Sequence, residues 1–167
     1  LFDTRVVSLL PSGEVGRKIE GAGIPVASLN LKRGRAAVTG LFKFVEKAKA
    51  FNPHVIMTWL YHADLLGAVS KPLFPKTALI WNLRCANMDF SRYSSLTGRV
   101  VRANAILSRV PDMVLANSNT GLKLHMDMGY RPKKTCVIEN GFDTGLFRPD
   151  LNARKIARES WGAGDGS

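Results

Sequence analysis

The sequence predicts an α/β fold, a Rossmann-like doubly wound parallel sheet. Three observations predict it. Short β-branched runs alternate with amphipathic stretches long enough to be crossover helices. The runs "VIMTWL" and "ALIWNL" are apolar nearly throughout, as strands covered on both faces should be. The chain has 167 residues, 46% hydrophobic and 22% charged, enough for one domain with its own core. No internal repeat interrupts the pattern.

The elements follow in order. Thr4 to Leu10 reads as a strand, Ser12-Gly13-Glu14 opens a short helix, and Gly21-Ala22-Gly23 closes it. Pro25 to Leu29 is a second strand. Arg35 to Phe51 is a helix with Val38, Leu41, Phe42, Val45 and Ala48 on one stripe, stopped by Asn52-Pro53. His54 to Leu60 is a strand and His62 to Leu73 a helix. Lys76 to Leu83 is a strand that runs into a polar loop, and Leu96 to Val110 is a helix stopped by Pro111. Asp112 to Ala116 is a strand, Asn119 to Met128 a helix ending at Gly129, and Lys134 to Ile138 a strand. Asp150 caps a final helix, Leu151 to Trp161.

Composition removes several function classes. No apolar run reaches the roughly 18 residues of a membrane span. The longest, Val55 to Val69, is broken by His62 and Asp64. Cys85 and Cys136 lack metal-like spacing and read as free thiols in a reducing compartment. With three histidines and no paired Cys or His motif, no metal site is expected. The net charge of +11 attracts something anionic: nucleic acid, a phospholipid leaflet or phosphorylated substrates. The chain starts at Leu1, so the absence of a leader carries no information.

In doubly wound sheets, ligands bind just beyond the carboxyl ends of the strands. There the sequence places Tyr61-His62-Ala63-Asp64, then Arg84-Cys85-Ala86-Asn87-Met88-Asp89, then Asn117-Ser118-Asn119-Thr120, then Asn140-Gly141-Phe142-Asp143. Polar residues gathered at one edge predict a ligand rich in hydroxyls or phosphates. Each cluster also has a plain structural reading. Asn117, Ser118 and Asn119 can cap the next helix, Asn140-Gly141 can be a tight turn, and Asp64 in a first helical turn suits the helix dipole. Arg84, at the end of a buried strand, calls for an anionic partner, either Asp89 or a ligand phosphate.

Other motifs are missing. Gly21-x-Gly23 precedes a strand, so it is a helix stop and not a dinucleotide fingerprint, and there is no Walker loop. Basic residues are dispersed: Lys43 and Lys47 lie opposite an apolar stripe, and Arg99, Arg102 and Arg109 share a helix face. A solvated basic surface and contact with an anionic membrane both account for them. Without a stacking ladder of aromatics, nucleic acid is disfavoured.

The segment "VIENGFDTGLFRPD" closely resembles the "IPNGFD…FRPD" stretch of glycosyltransferase family 4, enzymes of the GT-B fold. "SLLPSGEVGRKIEGAGIPV", "TWLYHADLLG", "IWNLRCANMDFSRYS" and "ANSNTGLKLHMDMGYRPKKTCVIENG" agree as well, in the right order along nearly the whole chain. The resemblance implies two Rossmann-like domains facing across a cleft, with the acceptor bound mainly by the first. The second holds a nucleotide-diphosphate sugar as co-substrate and carries a Glu-x7-Glu pair. Residues 1–150 correspond to the first domain, expected without its initial strand and helix, and 151–167 to the start of the linker. The chain is thus expected to be a fragment and inactive by itself.

The family's frequent histidine after the fourth strand has no counterpart: Arg84 and Cys85 stand there. Family 4 enzymes retain configuration, and their mechanism asks for cations on the departing diphosphate, without an essential metal. The catalytic role is therefore assigned to Arg84, facing the diphosphate or a phosphorylated acceptor. His62, Asn87 and Asp89 would bind acceptor hydroxyls, and Asp64, Asn117, Ser118, Asn140, Gly141 and Asp143 would complete the substrate site. The resemblance also implies polysaccharide biosynthesis on lipid-linked or glycan acceptors, in the cytoplasm, docked peripherally on the inner face of a membrane. Two other readings compete: a basic module that holds nucleic acid or another anionic polymer without catalysis, and a sugar-nucleotide epimerase on the same fold.

Overall fold

The computed structural model of the chain describes residues 2–31, 37–85 and 94–163. It begins with β1 (Val6–Ser8), α1 (Glu14–Gly21) and β2 (Val26–Ser28). The two strands pair in parallel, Val6 opposite Val26. Gly23, at φ 81°, provides the left-handed corner where the chain leaves α1 for β2. Then come α2 (Ala37–Phe51), β3 (Val55–Trp59) and α3 (Tyr61–Ser70), followed by a short 3-10 turn over Lys71–Leu73. β4 (Ala78–Leu83), α4 (Ser95–Leu107), β5 (Met113–Ala116), α5 (Asn119–Asp127), β6 (Thr135–Val137) and α6 (Leu151–Ser160) complete the order. α6 starts where the sequence places its cap: Asp150 Oδ1 accepts from the amides of Asn152 (2.9 Å) and Ala153 (3.0 Å).

The strands are parallel, as the alternating pattern requires, but among the described residues they form two sheets. β1 pairs with β2, and β3-β4-β5-β6 make a four-stranded sheet in chain order. α2 connects the two. Lys43 Nζ donates to the Leu29 carbonyl at 3.1 Å, and Leu31 packs so closely on Gly40 that an added Cβ would lie 2.8 Å from it. Asn52, at φ 53°, ends α2 just before Pro53.

A chain-order parallel sheet with right-handed crossovers puts every crossover helix on one face. α3, α4 and α5 accordingly cover one side of the four-stranded sheet. The core there is Ala68, Leu79, Trp81, Leu83, Val101, Val114, Ala116 and Tyr130. Gly67 lets α3 approach closely, because a Cβ there would meet Thr58 Cγ2 at 2.9 Å and Leu79 Cδ1 at 3.0 Å.

Two expectations need correction. "VIMTWL" is not covered on both sides: Val55, Met57 and Trp59 are 50%, 42% and 49% exposed, because they point away from the helices on an edge strand. In α2, Phe42 is 70% exposed. The inward side carries Phe44 instead, which meets Phe74 edge-on at 6.4 Å, together with buried Ala48. Leu41, Val45 and Ala48 of the expected stripe do face inward, so Phe42 alone among its described members is misplaced.

Candidate functional site

At the carboxyl end of the four-stranded sheet, on its uncovered face, lies an open hollow of about 600 Å³. The register builds it: Trp59 pairs with Asn82, and Asn82 with Leu115. Met57, Asn82 and Leu115 line its floor, and Arg84, Glu139, Asn140, Gly141 and Phe142 its rim. Asn82 reaches back to Met57, with Nδ2 3.8 Å from the thioether sulfur.

Arg84 leaves the end of β4 and spans this hollow. Its guanidinium lies over the Trp59 ring at 4.6 Å from the centroid, and Nη1 donates to Asn140 Oδ1 at 2.6 Å. Arg84 is exposed, because the strand end opens to solvent. Burial therefore does not force an anionic partner on it, contrary to the sequence reading. Among the described residues the ion pairs are Lys18–Glu14 and Lys71–Asp112, and neither involves Arg84.

The other predicted residues divide. Asn140 and Gly141 share the hollow with Arg84. Asn117 is half-buried at the end of β5, and its Oδ1 has no hydrogen-bond partner among the described residues. Ser118 caps α5, accepting from the Gly121 amide at 3.0 Å. His62 is exposed in the first turn of α3. Asp143 does not line the hollow. Its Oδ1 closes a local turn by accepting from the amides of Gly145 (2.9 Å) and Leu146 (3.1 Å). Asn87 and Asp89 lie outside the described residues.

Asp64 is the clearest correction. It faces the core, 1% exposed, where Thr58 Oγ1 donates to Oδ1 at 2.5 Å. It is the fourth residue of α3, in the same first turn as His62, but on the side that faces the sheet. Desolvation pushes its carboxyl up to about 7, with the Thr58 bond pulling the other way. The neighbouring polar groups are also internal. Asn104 Nδ2 donates to the Tyr61 carbonyl at 2.8 Å. His125, fully buried, meets the Gly121 carbonyl through Nδ1 at 2.7 Å and the Tyr61 hydroxyl through Nε2 at 2.9 Å. Burial lowers the His125 pKa, which keeps the ring neutral, so Nδ1 donates and Nε2 accepts. Burial, with nearby Asp64, raises the Tyr130 phenol.

Trp59 and Asn82 went unnoticed in the sequence. A tryptophan ending one strand, in register with an asparagine of the next, is the signal that was there to read. The chain turns sharply after Trp59. Leu60 has φ 74° and ψ 151°, a region that side-chain-bearing residues rarely occupy, at a cost of roughly 1–3 kcal/mol. Among the described residues no group of three or more His, Cys, Asp or Glu side chains is placed to hold a metal ion. No described helix is long and apolar enough to cross a membrane.

The whole chain can now be set beside known proteins. Its backbone matches the crystal structure of Anabaena Alr3699/HepE in complex with UDP, with a TM-score of 0.70 and 24% identity over 95% of this chain and 42% of that one. The structure of the same protein with UDP and glucose gives 0.67 and 22%, with the same coverage. A sucrose-phosphate synthase (tll1590) from Thermosynechococcus elongatus gives 0.53 and 14%, over 95% of this chain and 98% of that one. At such identities the likeness shows the fold, a Rossmann-like unit of GT-B type. The chain spans 42% of the length of HepE. No curated protein matches it. Residues 2–146 match the profile of Glycosyltransferase Family 4, and the chain belongs to that family.

Proposed function

We propose that this chain is the acceptor-side domain of a retaining, hexosyl-type glycosyltransferase. It would move a sugar from a nucleotide-diphosphate donor to a lipid-linked or polysaccharide acceptor. Residues 1–150 form the domain and 151–167 lead toward a donor-binding domain. The observation that carries the reading is Arg84, unpaired with any acid among the described residues and set across the hollow at the carboxyl edge of a family 4 sheet. A guanidinium there suits a phosphate group through parallel N–H bonds and would stabilise charge as the diphosphate departs. Asn140 and Gly141 would contact the same ligand, with His62, Asn117 and Ser118 toward the acceptor. UDP bound to HepE makes a uridine diphosphate donor the first to try.

The test uses the full-length protein containing this domain. Donor sugars are screened by UDP release, and active pairs are repeated with Arg84→Ala. Loss of at least tenfold in turnover, with the fold intact, is expected. Undiminished turnover in the variant removes Arg84 from the chemistry. The isolated chain is expected to be inactive in the same assay.

Exposed Arg99 and Arg102 on α4, with Arg109 exposed just past its end, support a second element of the proposal, docking on an anionic leaflet in the cytoplasm. Each cation near such a surface contributes about 1 kcal/mol. Vesicle binding that ignores anionic lipid content would refute it. Salt-sensitive DNA binding, with no response to sugar nucleotide in the full-length protein, would favour the non-catalytic basic module instead.

A further inference from the structure

We propose that Trp59 and Asn140 are positioning residues for Arg84, holding its guanidinium ready for a diphosphate. The inference rests on the reading that Arg84 meets the donor diphosphate, and adds to it how that side chain is kept in place. An exposed arginine ordinarily samples many rotamers and loses that freedom when it binds. Here residues from the two outer strands of the four-stranded sheet, Trp59 ending β3 and Asn140 following β6, restrict it. Stacking on the indole, 4.6 Å from the centroid, uses the flat face of the guanidinium. Asn140, 2.6 Å from Nη1, takes one in-plane donor. Among the described residues these are its only partners, so four N–H groups remain, among them the Nε–Nη2 pair that forms one complete edge. A planar fork with a free edge is the shape that pairs with two phosphate oxygens.

The platform is built on rigid elements. Trp59 belongs to β3, in register with Asn82 of β4 and Leu115 of β5. The corner that follows is held at Leu60 in a conformation costly for any residue but glycine. Strain of that kind persists only where the surroundings over-determine it. Glu139 is the one carboxylate among the residues lining the hollow. It repels an anion on its own side, which directs a diphosphate toward Arg84.

A plain structural role for the Trp59–Arg84 contact, shielding an exposed ring, predicts changes in stability alone. UDP and UMP are therefore titrated into the full-length protein and its variants, with melting temperature recorded in parallel. Arg84→Ala should weaken UDP by at least tenfold and UMP far less. Trp59→Leu and Asn140→Ala should each weaken UDP by roughly two- to fivefold, the scale of one exposed cation–π or positioning contact. Trp59→Phe, which keeps an aromatic face, should recover most of the loss. In ¹⁵N spectra the Arg84 Nε–H signal should lose its ring-current shift in Trp59→Leu. Normal UDP affinity in Trp59→Leu and Asn140→Ala, with Arg84→Ala still impaired, overturns the positioning role and leaves the Arg84 reading standing. Normal affinity in Arg84→Ala overturns both. Trp59→Phe as weak as Trp59→Leu overturns the aromatic contact as the cause.

Discussion

The two faces of the four-stranded sheet are built from the same strands and do opposite work. The covered face holds Trp81, Leu79 and Val114 at 0–1% exposure, with Asp64, Asn104 and His125 sealed among them. The open face shows Met57 and Trp59 nearly half exposed, beside a cation without an acid partner among the described residues. A polar group on the first face answers to its neighbours in the core. On the second it is available to a ligand. Residue type does not separate the two cases, and position on the pleat does.

The largest test compares the two tryptophans. Trp81→Ala should cost roughly 3–5 kcal/mol by emptying the core, and Trp59→Ala about 1 kcal/mol or less. Urea titrations of both would measure the contrast, and equal losses would abolish it. Asp64→Asn tests whether the covered face is only structural. The folded carboxyl keeps its proton up to about pH 7, against 3.8 for an aspartate in open solvent. Between those values the folded state holds more protons than the unfolded one, so stability falls as pH rises, and the full penalty stands above pH 7. The variant should therefore gain up to roughly 4 kcal/mol over the parent above pH 7 and nothing near pH 4. A pH-independent difference would show that Asp64 is ionised in the fold throughout. His125 titrates in the other direction, since acid must charge a buried neutral ring, and it is common to both proteins.

Gly67→Ala should destabilise by about 1–3 kcal/mol, because Thr58 and Leu79 leave no space for a methyl group. A neutral result would mean that α3 can slide on the sheet. The smallest effect sharpens the boundary between the faces. Ser118→Ala removes the cap of α5 and should cost about 1 kcal/mol. If Ser118 serves only as a cap, UDP affinity of the full-length protein will not change. A fall in affinity beyond the stability loss would give it a place in the site.

Much of this was legible in the chain. Alternating strand and helix signals located every element within a few residues, and Asn52-Pro53, Ser118 and Asp150 stop or cap as they read. The carboxyl-edge rule brought Arg84, Asn140 and Gly141 into one hollow. It failed at Asp64, since a first helical turn faces solvent at one residue and the core at another. It failed at Asp143, where an acid two residues before a glycine does its bonding locally. Trp59 was hidden because an aromatic in an apolar run looks like core until the covering helices are known to lie on the other side.

The edge of β3 left unpaired among the described residues has a bearing on how this chain behaves in a tube. Among the described residues β3 pairs only with β4, and its outward side chains are apolar, which makes it a template for a strand from another copy. The net charge of +11 keeps copies apart at low ionic strength. Added salt shortens the reach of that repulsion, to about 3 Å at 1 M, while leaving the edge as sticky as before. Concentrated stocks should therefore stay clear in dilute buffer and turn cloudy on salting, the reverse of the habit of adding salt to keep a basic protein in solution.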